Sequence, residues 1–257
     1  MEENKTKIGF LILATSNNRD NWISIKDSYL YNLTLKSSLL TINREHKYIY
    51  YIGIDKNDRI FDKKTAQNEI LKFQNVFKHI TIEFIVYDNN KIPKGYATLM
   101  WNVLFEKAYN DGCDYFYQCG DDMEFKTKNW INDSINMLKS KNNIGLTGPI
   151  NNNNRILTQS FVSRKHMEIF GWYFPKEIKN WCCDDWYNIV YHPNYLYPLK
   201  NHFAENKGGQ PRYKINNDNN FALNNMMFKN NVQKLRKDTE ILANKHKKLI
   251  ENYLNKK

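Results

Sequence analysis

"ATLMWNVLFEKAYNDGCDYFYQCGDD", residues 97–122, decides the fold. Its first sixteen residues read as a helix closed by Gly112. Residues 114–119 then form an aromatic, strand-like run that ends on Gly120 and two adjacent acids, Asp121 and Asp122. Neighbouring carboxylates repel, and burying them without a cation costs several kcal/mol. A strand that delivers both therefore delivers them to something positive.

Upstream, the same alternation repeats. "IGFLILAT" (8–15) reads as a buried strand, "NWISIKDSYLYNLTL" (21–35) as a helix and "YIYYIGID" (48–55) as a second strand. The spacing of Ile70, Phe73, Val76 and Phe77 predicts a helix over 65–79, and "ITIEFIVYD" (80–88) is a third strand. Strands alternating with helices predict an α/β fold with a doubly wound, mostly parallel central sheet. Ligands of such sheets bind outside the carboxyl ends of the strands. There stand Thr15, Ser16, Asn17, Asn18 and Arg19 after strand one, Asp55 after strand two, Asp88 after strand three, and Asp121 with Asp122 after strand four. For Asp55 and Asp88, ordinary turn chemistry is an equal alternative. The dinucleotide fingerprint and the phosphate-binding P-loop are both missing from the sequence. Phosphates would then be neutralised by a metal, and oxygen-rich sites of this kind suit manganese or magnesium.

At 257 residues with 41% hydrophobic content, the chain has ample material for a core. The net charge of +11 raises nucleic acid as a partner, but its location argues otherwise. From residue 229 to 257 nine Lys or Arg face three acids, a net +6, so half of the excess sits in one tail. That tail carries Val232, Leu235, Leu242, Leu249 and Tyr253 close to one helical face. It reads as a packing or dimerising helix with a solvated basic face, and nucleic acid is not expected. The four cysteines show no C-x-x-C spacing and read as reduced. The apolar run after the polar start "MEENKTK" is too short to span a bilayer or to act as a signal peptide, so the expectation is a cytoplasmic protein.

These residues resemble a glycosyltransferase of the GT-A fold. "ATSNNRDNWISIKDSYL" resembles the first strand, nucleotide-contacting loop and helix of the family 2-like nucleotide-sugar transferases. "KGYATLMWNVLFEKAYNDGCDYFYQCGDD" resembles their glycine, asparagine-bearing helix and acidic strand end, the DXD motif. The resemblance implies a nucleotide-sugar site formed by Thr15, Ser16, Asn18, Arg19, Asp55, Asp88, Lys94, Asn102 and Asp121. Trp101 stands where such families often have an arginine, with Lys94 as a compensating charge. The same resemblance makes Asp122 a ligand of Mn2+ or Mg2+. Asp121 would reach ribose or metal, and Glu124 shares Asp122 in an alternative pairing.

In the second half, "FVSRKHMEIFGWYFPKEIKNWCCDDWYNIVY" (161–191) resembles the acceptor region. Its second acidic motif implies Asp185 as the base that deprotonates the acceptor, with Asp184 beside it. Helix-start chemistry is the alternative for both. A late histidine, His202, would complete the metal coordination. Gly208, Gly209, Arg212 and Tyr213 form either a segment that closes over phosphates or a solvated loop. Trp172, Tyr173, Trp181 and Trp186 are stacking or core residues, and His166 and Arg164 could face an acceptor. The implied organisation is a single GT-A domain over 1–228 and a basic amphipathic C-terminal helix over 229–257. Within the domain, 1–125 would bind the nucleotide sugar and 126–228 the acceptor. The implied function is a metal-dependent, hexosyltransferase-type enzyme. It would move a sugar from a nucleoside diphosphate, UDP by family frequency, to a glycan, protein or small-molecule hydroxyl with inversion. A homo-oligomer through the C-terminal helix is one expectation. The rival readings are a sugar nucleotidyltransferase, a glycoside hydrolase and a non-catalytic sugar- or nucleic-acid-binding module.

Overall fold

The run expected at 8–15 forms β1 (Lys7–Ala14), with Ile8, Phe10 and Ile12 in one core and Leu11 in another on the opposite face. A central parallel strand is covered on both sides, so it reads as continuously apolar rather than alternating. These observations come from a computed structural model that describes residues 5–209, 212–213 and 225–256, with backbone alone at 225–231. The start "MEEN" and the last lysine of the basic tail, both used above, lie outside the described residues.

After β1 the expected helix over 21–35 is broken. Ser24 and Asp27 form a capping box around a 3-10 turn, Ile25–Asp27, and Ser28 is extended with ψ 150°. The Ser28 hydroxyl donates to the Ile25 carbonyl at 2.6 Å, the local competition that disfavours serine inside helices. A π-helical stretch, Leu30–Leu35, then runs on as α1 (Lys36–Thr41). β2 (Lys47–Asp55), α2 (Lys64–Val76) and β3 (Ile80–Tyr87) follow, each strand parallel to its predecessor. α3 (Ala97–Asn110) is closed by Gly112 at φ +80°, a left-handed conformation that glycine adopts without strain. The chain then enters β4 (Tyr115–Gly120), which pairs in parallel with the other flank of β1, Leu13 opposite Gly120.

The remainder comprises β5 (Met123–Phe125), α4 (Trp130–Lys139), β6 (Leu146–Ile150), β7 (Ser160–Ser163), α5 (Lys165–Phe170), α6 (Cys183–Tyr191), β8 (Leu196–Asn206) and α7 (Asn225–Asn255). The strands form one eight-stranded sheet in the order β3-β2-β1-β4-β7-β6-β8-β5. β7 runs antiparallel to β4 and β6, β5 runs antiparallel to β8, and the other neighbours are parallel. The chain is thus a single α/β domain with a mostly parallel sheet and a C-terminal helix, as the sequence predicts. α1, α2 and α4 cover one face, where Phe10 stacks on Tyr50 at 4.6 Å and Phe125 on Trp130 at 5.0 Å. α3, α5, α6 and α7 cover the other.

The packing alternative for α7 is the one realised. Val232, Ala243 and Ile250 are buried, and Leu242, Leu249 and Tyr253 lie against the core that holds Trp186 and Tyr191. The Trp186 indole donates to His246 Nδ1 at 3.2 Å. The apolar stripe packs against α5 and α6 of the same chain. Among the described residues no helix is long and apolar enough to cross a membrane.

Candidate functional site

From β1 the chain builds outward through β2 to β3, then returns to the opposite flank of β1 with β4. The connections diverge at that point and leave a crevice outside the carboxyl ends of β1 and β4. A cavity of about 320 Å³ opens there, lined by Thr15, Trp101, Asp121, Asp122, Trp181 and Arg212, with Tyr213 at its wall.

Asp121 is fully buried, and its carboxylate meets the Arg212 guanidinium, which also pairs with Asp122 at 3.1 Å. Burial pushes the Asp121 carboxyl up to about 6; Arg212 opposes the rise and Asp122 adds to it. Asp122 sits between two glycines. A Cβ at Gly120 would stand 2.6 Å from Asp122 Oδ1, and one at Gly208 would stand 1.9 Å from Oδ2. The loop after β1 holds the segment that carries Arg212: Arg19 Nη2 donates to the Gly208 carbonyl at 2.7 Å, and Asn18 Nδ2 to the Arg212 carbonyl at 3.2 Å. Arg19 and Asn18 thus meet this segment.

The other strand ends divide. Asp55, buried, accepts the Tyr213 hydroxyl; burial raises its pKa, while Tyr213 and the exposed Lys94 nearby oppose the rise. Thr15 and Ser16 turn to a residue that the sequence reading missed. Asp58 accepts the Thr15 hydroxyl at 3.0 Å, the Ser16 hydroxyl at 2.7 Å, and the backbone N–H groups of Ser16, Ile60 and Phe61. Burial pushes Asp58 up, but these donors prevail and hold it below the usual carboxylate range. Asp88 accepts the Asn90 N–H at 3.1 Å, which is turn chemistry.

Three expected ligands are placed elsewhere. Asn102 is a backbone clamp: its carbonyl accepts the N–H groups of Tyr173 and Phe174, and its amide donates to the Phe174 carbonyl at 2.8 Å. Glu124 pairs with Lys126 at 2.7 Å and Lys207 at 2.5 Å, and these two hold its carboxyl below the usual range. His202 contacts Asp133 at 2.7 Å and Thr127 at 3.1 Å. The β5–β8 ladder sets Phe125 opposite Ala204, so His202 lies roughly 17 Å along the strand from Asp122 at about 3.3 Å per residue. It does not reach the Asp121–Asp122 pair.

Asp184 and Asp185 occupy the first turn of α6, whose N-cap is Cys182, so neither is the cap residue. Asp184 accepts the Asp185 N–H at 3.0 Å, and burial together with the neighbouring Asp185 pushes it up to about 6. Asp185 is buried and receives the Arg155 guanidinium, a partner that the sequence reading missed. His166 belongs to the core, between the Tyr191 hydroxyl at 2.7 Å and the Tyr173 carbonyl at 3.0 Å, and burial pushes it down to about 4. Arg164 donates to the carbonyls of Tyr109 and Cys113 behind α3. Of the aromatic residues, Tyr173 and Trp186 are core, and Trp172 packs on Trp186, whereas Trp181 lines the cavity.

The donor set fits a hard divalent cation. Two carboxylates converge on a positive group, and both oxygens of Asp121 are buried, Oδ1 against that group. Among the described residues no third His, Cys, Asp or Glu joins them. Magnesium and manganese are commonly held by one or two carboxylates, with the rest of their shell supplied by phosphates and water.

No protein-family model and no curated protein matches this sequence. Solved structures do. The chain is similar to TarS of S. aureus, with TM-score 0.52 and 11% identity over 77% of this chain and 36% of that one. It is also similar to the 1–349 portion of TarS in complex with UDP, with TM-score 0.52 and 12% identity over 78% of this chain and 60% of that one. For the complex of that portion with UDP-GlcNAc the values are TM-score 0.57 and 11% identity, over 94% and 70%. The chain therefore spans between 36% and 70% of the length of these TarS chains. At this identity the likeness shows the fold alone, an α/β domain similar to that of TarS.

Proposed function

We propose that the chain is a metal-dependent, hexosyltransferase-type glycosyltransferase that moves a sugar from a nucleoside diphosphate, with UDP the first candidate, to a hydroxyl acceptor. One observation carries this reading: two adjacent acids at the carboxyl end of β4, one of them wholly buried, converge on a single cation at the switch point of the sheet. The TarS complexes with UDP and UDP-GlcNAc lend support at the level of fold.

Asp121 and Asp122 would hold Mn2+ or Mg2+, which would offset the charge that develops on the departing diphosphate. Asp185 would take the proton of the acceptor hydroxyl as its oxygen attacks the anomeric carbon. The bond from that carbon to the phosphate oxygen breaks, and its electron pair leaves with the nucleoside diphosphate. A base on the face opposite the leaving group gives inversion. Arg155 would orient Asp185, and Trp181 would offer an aromatic face to a sugar ring.

The test is calorimetric titration of UDP and UDP-GlcNAc with and without MnCl2. The expected result is binding by the wild type that strengthens with manganese and is lost in Asp122→Asn, whose melting transition stays cooperative. Equal affinity of Asp122→Asn and wild type for UDP in manganese would overturn the metal assignment.

A further inference from the structure

Arg212 occupies the position where the proposed reaction needs a cation. We infer that its guanidinium is a built-in counter-ion to Asp121 and Asp122, that a divalent cation binds only by displacing it, and that the displaced guanidinium then serves the anionic ligand. This inference rests on the metal-dependent reading above and deepens it.

Both carboxylates are engaged by one side chain, through separate guanidinium nitrogens, in a pocket where Asp121 is fully buried and the Arg212 side chain is 13% exposed. A cation entering from water therefore meets an occupied site, and its apparent affinity falls by the strength of that internal pair. The geometry also provides for exchange without unfolding. The backbone of Arg212 is fixed at its carbonyl by the amides of Asn17 and Asn18, Tyr213 is anchored on Asp55, and Gly208 is anchored on Arg19. With the main chain tethered on both sides, a rotation of the long arginine side chain is enough to vacate the carboxylates.

The freed guanidinium remains beside the cavity that Arg212 lines. Its planar fork matches phosphate oxygens in two-pronged fashion, which a lysine at the same place does not reproduce. Cation and diphosphate are then coupled: the cation releases the arginine, the phosphate receives it, and each strengthens the binding of the other.

The experiment is titration of MnCl2 alone, at pH 7.5, into the wild type, Arg212→Gln and Arg212→Lys, followed by UDP in the presence of saturating manganese. Melting curves of the metal-free proteins accompany the titrations. The expected result is manganese binding at least tenfold tighter in Arg212→Gln than in the wild type. UDP binding in manganese should be at least tenfold weaker, and the metal-free melting temperature should be lower but restored by manganese. Arg212→Lys keeps the charge without the fork, and its manganese affinity should fall between the two; it also keeps the test open if the glutamine variant does not fold. Equal manganese affinity across the wild type and a folded variant overturns the inference and leaves the metal site standing. Absence of manganese binding in every protein, with UDP still bound by the wild type, overturns the metal reading and this inference with it.

Discussion

Asp184 and Asp185 differ in what their carboxylates touch, and in the proposed mechanism that difference gives them different tasks. Asp184 satisfies an N–H of its own helix, while Asp185 is buried against the guanidinium of Arg155, a side chain half exposed to solvent. Asn retains the acceptor oxygen that Asp184 supplies, so Asp184→Asn should be mild. Asp185→Asn should leave UDP affinity unchanged and lower transfer about a hundredfold or more, the scale of lost acid–base catalysis. Single-turnover transfer and calorimetric UDP binding on both variants check this; a larger transfer defect in Asp184→Asn would exchange the roles. The acids were legible in the sequence because they come in adjacent pairs, Asp121 and Asp122 after a strand and Asp184 and Asp185 at a helix start. Their partners were not: Arg155 lies 30 residues from Asp185, Arg212 lies 90 from Asp122 and Asp58 lies 42 from Ser16. Only the tertiary fold brings them together. Asn102 and His202 were assigned from their order along the chain, which does not say where a side chain points, and both turned to structural partners distant in sequence, Asn102 to Tyr173 and Phe174 and His202 to Asp133 and Thr127.

Helices and strands of the parallel half were legible for a related reason. Central strands buried on both faces keep a continuous apolar run, and their helices keep an apolar stripe. β5 and β7 have three and four residues, too short for any period to register. α7 was read as a helix, but its partner was left open between packing and dimerisation. Ala243 is fully buried within the core shared with α6, whereas Lys248 is exposed. Ala243→Glu forces an unpaired charge into that interface and should cost about 3 kcal/mol or more in urea unfolding. Lys248→Glu should remain within about 0.5 kcal/mol of the wild type. A harmless Ala243→Glu would mean that α7 is not integral to the domain.

The molecule separates its charges by the direction of its sheet. Asp55, Asp58, Asp121 and Asp122 gather at the carboxyl ends of the strands, while Lys5, Lys7, Lys47 and Lys78 line a cavity at the amino ends. Concentrating acids in this way makes stability depend on pH through terms of opposite sign. His166, pushed by burial from 6.5 to about 4, contributes stability that is present above 6.5 and lost as pH falls towards 4. Asp121, raised by burial from 3.8 to about 6, does the reverse: its contribution is intact below 3.8 and lost as pH rises through 6. Asp184, also raised by burial to about 6, acts in the same direction as Asp121 and against His166, so the wild-type profile alone does not separate the contributions. Asp121→Asn uncovers one of them, because asparagine resembles the protonated acid and does not titrate. The variant should match the wild type near pH 4 and become more stable than it by about 3 kcal/mol near pH 7, the free energy of a shift from 3.8 to about 6. Urea unfolding of both proteins across that range, without divalent cation, measures the difference. Saturating manganese should then reduce or reverse it, by stabilising the wild type and not the variant. A difference that stays flat from pH 4 to 7 would mean that Arg212 fully compensates the burial of Asp121, leaving no electrostatic strain at the pair for a cation to relieve.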